Sequence, residues 1–251
     1  LALDSGFPAK RISVLKIPMD VLPEDKIQDA AKRLLESDKP QQIILLSVWD
    51  LMRARRNTEF RAMVNNAGLV LPISLSLVKG AKFLKREQPV RYMPFDFIIK
   101  LLGALEASGK TVYLLGSRTK TIKISERNIK ATFPGLRVVG RHSGFYKRAI
   151  EGDIIEAARK AMPSLLMVGR GVPGRERWIP RNLQTCEKGL FLWGDDVFDI
   201  FAEKRRRGSK GAFKRGLEWI PTTFSRPWKL ARIFTFFRYK VLLLVYRINK
   251  W

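Results

Sequence analysis

Between Arg11 and Ile200 the chain alternates short apolar runs with longer stretches in which apolar positions recur every three or four residues. The short runs read as strands buried on both faces, and the amphipathic stretches between them read as crossover helices. That pattern predicts an α/β fold: a mostly parallel, Rossmann-like sheet with helices on both faces. The expected strands are Ile12–Ile17, Gln42–Leu46, Gly68–Leu71, Thr111–Leu115, Leu136–Val139, Leu165–Val168 and Leu190–Trp193. Pro23–Glu36 reads as a helix, with a proline and acidic residues in its first turn and basic residues toward its end, an order that suits the helix dipole. Ligands of such folds bind beyond the carboxyl ends of the strands, so functional residues are expected just after each strand.

The pattern changes after Glu203. Lys204, Arg205, Arg206, Arg207, Lys210, Lys214 and Arg215 form a basic connector punctuated by glycine. From Arg226 onward a helical period places Leu230, Phe234, Phe237, Val241, Val245 and Ile248 on one face, and Lys229, Arg232, Lys240, Arg247 and Lys250 on another. Trp219, Trp228, Tyr239, Tyr246 and Trp251 add aromatic groups of the kind that settle at headgroup depth. The division expected is an α/β domain over residues 1–203 and a basic amphipathic appendage over 204–251, the latter helical and lying on a membrane surface. Arg226, Trp228, Lys229, Arg232, Phe234, Phe237, Lys240, Arg247 and Lys250 are its expected membrane-binding residues. Each cation near an anionic leaflet contributes about 1 kcal/mol.

Charge sharpens this picture. With 48 Lys and Arg against 23 Asp and Glu, the chain carries a net charge of +25, and such self-repulsion calls for a polyanionic partner. An anionic membrane surface is the expected one. Nucleic acid ranks below it, because the chain shows no helix-turn-helix, zinc-finger or aromatic RNA-binding signature. Cys186 and His142 are the single cysteine and the single histidine, so no disulfide and no structural metal site are expected. No apolar run approaches the roughly 20 residues of a spanning helix, and the N-terminal residues lack the layout of a signal peptide. Leu1 stands where an initiator methionine would, so a natural segment upstream is expected.

Three segments carry a family resemblance: Phe133–Tyr146 (FPGLRVVGRHSGFY), Val168–Ile179 (VGRGVPGRERWI) and Val197–Ala202 (VFDIFA). In this order they resemble the WecG/TagA/CpsF glycosyltransferases, and Gly216-Leu217-Glu218-Trp219 before a basic tail is similar to that family's C-terminal membrane appendage. The resemblance implies transfer of N-acetylmannosamine from UDP to a lipid-linked sugar at the cytoplasmic face of a bacterial inner membrane. The donor would then be a UDP-sugar, with no further cofactor required. It implies self-association as well, and a lipid-linked sugar or a membrane protein as partner.

The family's proposed general base is the aspartate of a Pro-Asp-Gly turn; here the strand reads Leu69-Val70-Leu71-Pro72-Ile73-Ser74, with Ile73 in the aspartate's place. Where the family has Thr-x-Asn, this chain has Leu45-Leu46-Ser47. Arg175 replaces the glutamine of Pro-x-Gln-Glu, and an arginine can hold a diphosphate. Ser47, Arg91, Asp96, Gly116, Ser117, Arg175 and Asp199 are the expected donor-binding residues, the amides of Gly116 and Ser117 being placed for a phosphate at a strand-to-helix junction. No catalytic residue is expected, since Leu45 and Ile73 stand at the family's reactive positions, and Asp50 and Asp96 are the carboxylates available as substitutes. Three functions follow in order: a membrane-associated glycosyltransferase-like scaffold or regulator, an active UDP-sugar glycosyltransferase with a relocated base, and a nucleic-acid-binding protein.

Overall fold

Buried apolar strands build the centre of the protein. A computed structural model describes residues 6–216 and 231–249, with the side chains of residues 231–233 outside the description. Its main sheet has six strands: β3 (Gln41–Leu46), β4 (Leu69–Pro72), β5 (Thr111–Leu115), β6 (Arg137–His142), β7 (Leu165–Gly169) and β8 (Leu190–Asp195), in the order β4-β3-β8-β7-β5-β6. The pairings of β3 with β8, β8 with β7, β7 with β5 and β5 with β6 are all parallel. All five residues of β7 are buried, as expected of a strand covered on both faces. Edge strand β6 instead alternates exposed and half-buried positions. It runs on past the expected end at Val139, because Gly140 leaves room for the Tyr113 ring.

The described residues fall into two compact units, one within 25–44 and 94–207, the other within 1–24, 45–93 and 208–251. In the first, α1 (Ile27–Leu35) packs along α5 (Pro94–Ala107), and α6 (Thr119–Thr132) along α9 (Val197–Phe201). Helix α7 (Glu151–Lys160) and the short α8 (Trp178–Asn182) complete it. Tyr113, Leu115, Ile154, Val168, Trp178 and Phe191 belong to one buried cluster in this unit.

The second unit opens with an antiparallel hairpin, β1 (Lys10–Val14) and β2 (Ile17–Val21), where the apolar pattern predicts one strand, Ile12–Ile17. The chain reverses at Leu15 and Lys16, both with positive φ (51° and 66°) and neither a glycine or asparagine, so the usual hairpin signal is missing. Buried Leu15 and the bond from Arg55 Nη1 to the Leu15 carbonyl (3.2 Å) hold this turn. Helices α2 (Val48–Ala54), α3 (Thr58–Asn65), α4 (Leu75–Phe83) and α10 (Lys210–Arg215) follow.

The terminal helix α11 (Ala231–Ile248) seats on α2 and α4. Tyr239 and Leu243 are buried there, and the Tyr239 hydroxyl donates to the Ser76 carbonyl at 2.8 Å. A Cβ added at Gly80 would lie 2.0 Å from that hydroxyl oxygen. Gly80→Val is therefore expected to cost about 1–3 kcal/mol by overpacking and to unseat α11. Faster hydrogen exchange across α11 than in the unaltered protein is the measurement that checks it. The opposite face of α11 shows Phe234 (76% exposed), Phe237 (67%), Val241, Leu244, Val245 and Ile248 (77%) to solvent. Lys240 and Arg247 are exposed on the same helix. Arg226, Trp228, Lys229 and Lys250 lie outside the described residues, as does the side chain of Arg232.

Candidate functional site

Within the second unit, the ends of β3 and β4 bring together the two positions at which the chain departs from the family pattern. The Ile73 amide donates to the Leu46 carbonyl at 2.9 Å, and Ser74 Oγ accepts from the Val48 amide at 3.2 Å. Ile73 and Leu45 are both half-buried. Ser47 is the N-cap of α2: its hydroxyl accepts from the Asp50 amide (3.2 Å), while Asp50 Oδ2 accepts from the Ser47 amide (2.9 Å) and hydroxyl (2.5 Å). This reciprocal box satisfies helix-terminal donors, so Ser47 has a structural task independent of any ligand. It also occupies one oxygen of Asp50, a carboxylate available as a substitute base.

Arg91 is anchored in the same place. Its Nε donates to the Ile73 carbonyl at 2.9 Å, its Nη1 to the Phe213 carbonyl, and its guanidinium lies 3.6 Å from the centre of the Phe213 ring. Arginine's planar fork suits such simultaneous stacking and hydrogen bonding. The residue thus ties the loop after β4 to α10.

Within the first unit, a second locus forms beyond the ends of β5, β7 and β8. Gly116 follows β5 with φ 141°, and a Cβ there would lie 2.7–2.8 Å from the backbone of Gly169. Gly144 sits against the Arg170 carbonyl, where a Cβ would approach to 2.6 Å. Glycine is required at both positions because three backbone segments converge. The Gly116 amide donates to the His142 carbonyl (3.0 Å) and the Ser117 amide to the Arg170 carbonyl (2.5 Å). This corrects the expectation of a phosphate cradle at these amides: both donors serve the packing of adjacent strand ends.

Asp199, at the start of α9, accepts from Ser117 Oγ at 3.3 Å and pairs with Arg170 Nη2. Arg170 Nε reaches Asp196 at 2.6 Å, and Asp196 also pairs with Arg205. Two arginines and two aspartates therefore alternate beside Ser117. Arg170, Asp196 and Arg205 are not among the residues expected from the sequence, although an arginine directly after one strand and Asp195-Asp196 at the end of another were signals available there. Asp96 lies half-buried in the first turn of α5. Arg175 is exposed, with φ 57° and Nε 3.8 Å from Glu176. The structure brings Ser117 and Asp199 together, and Ser47 next to the Ile73 strand end; Arg175 joins neither group. Among the described residues no cluster of three or more His, Cys, Asp or Glu side chains has the arrangement of a metal site.

A mostly parallel α/β sheet with its candidate residues collected beyond the strand ends defines the Rossmann-like class of ligand-binding proteins. Within that class the chain belongs to the glycosyl transferase WecG/TagA/CpsF family, whose pattern it matches over residues 12–251. It is similar to the N-acetylglucosaminyldiphosphoundecaprenol N-acetyl-beta-D-mannosaminyltransferase of Bacillus subtilis, at 21% identity over 198 residues that cover 78% of this chain and 76% of the relative. The enzyme of the same name from Bacillus spizizenii is also 21% identical, over 191 residues covering 76% of this chain and 74% of the relative. No described helix is long and apolar enough to cross a membrane.

Proposed function

We propose that the protein is a membrane-surface member of this family that holds nucleotide-sugar and lipid-linked ligands without transferring sugar by the family's base, and acts as a scaffold or regulator. The observation that carries this reading is Ile73 at the end of β4, beside the capped start of α2. An aliphatic group accepts no proton, and general-base assistance typically supplies about 10²–10⁴ in rate. Asp50, next to the site, has one oxygen committed to Ser47.

The relatives' named acceptor is a diphosphoundecaprenol-linked sugar, which supports a ligand held at a lipid surface. The outward apolar face of α11 supports the same setting, since a large exposed apolar patch marks an interaction surface. The cytoplasmic face of a bacterial inner membrane is the location this reading assigns. Division into a body over 1–203 and a membrane-docking appendage over 204–251 belongs to the same proposal. Asp199 and Ser117, within the first unit, are the donor-side residues it retains.

Titration calorimetry with UDP and UDP-N-acetylmannosamine tests the donor side. Binding that weakens by about tenfold or more in Asp199→Ala is expected, a loss in the range of a hydrogen bond to a charged group. Absence of heat for both ligands would leave the family fold without its donor affinity.

A further inference from the structure

Helix α6 carries a cationic surface that lies outside residues 204–251. Lys120, Lys123, Arg127 and Lys130 are all exposed and follow one another at intervals of three, four and three residues, so they form one stripe along the helix. From first to last the stripe is about 15 Å long at the ordinary helical rise. Lys130 shares Glu126 with Arg141 of β6. Lys120, Lys123 and Arg127 have no ion pair among the described residues.

Lys32, Lys39, Lys110, Lys147 and Arg148 of the same unit likewise have no ion pair among the described residues, whereas other cations there do. Lys26, Arg33, Arg159, Lys160, Lys188 and Arg205 each face a carboxylate. The unpaired stripe also works against its own helix. Like charges three and four residues apart are mutually unfavourable, and Lys120 and Lys123 sit near the N-terminal end, where the dipole disfavours cations. The helix tolerates this because its other face is firmly held. Ile122 and Ile129 are buried, Ser125 Oγ donates to the Phe198 carbonyl at 2.6 Å, and Asn128 Nδ2 donates to the Phe201 carbonyl at 2.7 Å. The result is a rigid row in which Lys120, Lys123 and Arg127 have no ion-pair partner among the described residues, while Lys130 is paired with Glu126.

We infer that this stripe is a second membrane-contacting surface, on the body of the protein, which binds the headgroups of an anionic bilayer. The choice of bilayer rests on the membrane reading above, while the row of uncompensated cations stands without it. The charge is complementary to acidic headgroups. Thr119, Ala131 and Thr132, the other exposed residues of the helix, supply no aromatic group on which bases could stack. Such a row attracts a charged surface diffusely and over a Debye length, so its effect fades with salt.

The test is flotation of the full chain with phosphatidylcholine vesicles, with and without phosphatidylglycerol, at low and high salt. The unaltered protein is compared with Lys120→Gln/Lys123→Gln/Arg127→Gln and, separately, with Phe234→Gln/Phe237→Gln. Loss of the three α6 cations is expected to weaken binding to the anionic vesicles on the order of a hundredfold at low salt. Binding to neutral vesicles and the thermal midpoint should not fall, so misfolding would be visible as such. Undiminished anionic-vesicle binding by the α6 variant would overturn the inference. So would a selective loss of duplex DNA binding with vesicle binding intact, which would assign the stripe to nucleic acid. Normal vesicle binding by the α11 variant would remove the terminal-helix reading and leave the stripe standing.

Discussion

Ile73→Asp combined with Leu45→Thr is expected to raise transfer of N-acetylmannosamine from UDP to the lipid-linked acceptor to about a hundredfold above the enzyme-free background, that background being the level expected of the unaltered chain. The backbone at position 73 is already held, its amide on the Leu46 carbonyl and its carbonyl under Arg91 Nε. A carboxylate introduced there would stand at the strand end without rearranging β4. The site is half-buried, so the group would keep some hydration. The nearby Arg91 guanidinium would favour the ionised form and hold the carboxylate's pKa below an optimal base, which places the gain at the lower end of general-base effects. Product formation followed with a radiolabelled donor measures it. If the double variant forms no more product than the unaltered chain, the missing base is not what limits the reaction.

Asp20→Ala is expected to destabilise the protein by about 3–5 kcal/mol, the usual cost of removing one partner of a buried ion pair. Asp20 is fully buried, and both of its oxygens are used. Oδ1 accepts from Arg11 Nε at 2.7 Å; Oδ2 accepts from Arg11 Nη2 at 2.9 Å and from the Val70 amide at 2.7 Å. Arg11 also reaches the carbonyls of Ala67 (3.0 Å) and Gly68 (3.3 Å), so the pair fastens the hairpin to the start of β4. Truncation leaves the guanidinium without its counter-charge and the buried Val70 amide without its acceptor. A fall of roughly 10 °C in the thermal midpoint is the matching observable. Asp20→Asn keeps an acceptor for Val70 and should recover part of the loss.

Much of the first unit was legible because its strands are buried on both faces: runs such as Leu165–Val168 and Leu190–Trp193 contain almost nothing polar. The hairpin was not. Its turn uses Leu15 and Lys16 in a conformation normally signalled by glycine or asparagine, so Ile12–Ile17 read as one extended strand. The face of α11 was legible in its period, and Phe234, Phe237, Val241, Val245 and Ile248 do share the outward side. What holds the other side was not, because it depends on Gly80, more than 150 residues away, leaving space for Tyr239. At the site, the strand-end positions of Ser47 and Ile73 followed from the motif offsets. The capping box around Ser47, the Phe213 stack on Arg91 and the Arg170 bridge between Asp196 and Asp199 depend on tertiary placement. Gly116 and Ser117 illustrate the limit of motif reasoning, since a strand-glycine-helix junction has the same spelling whether its amides face a phosphate or a neighbouring strand.

The proposed function has this family member holding its ligands at a membrane surface without the family's proton acceptor for transfer. The measurement that bears on it most directly supplies the unaltered chain, on anionic vesicles, with radiolabelled UDP-N-acetylmannosamine and the N-acetylglucosaminyl-diphosphoundecaprenol acceptor. Donor binding and product are followed in the same samples. Bound donor and no product above the enzyme-free background are the expected result. Sustained turnover that disappears in Asp50→Asn or Asp96→Asn would contradict it, by showing that a carboxylate elsewhere in the chain serves as the base.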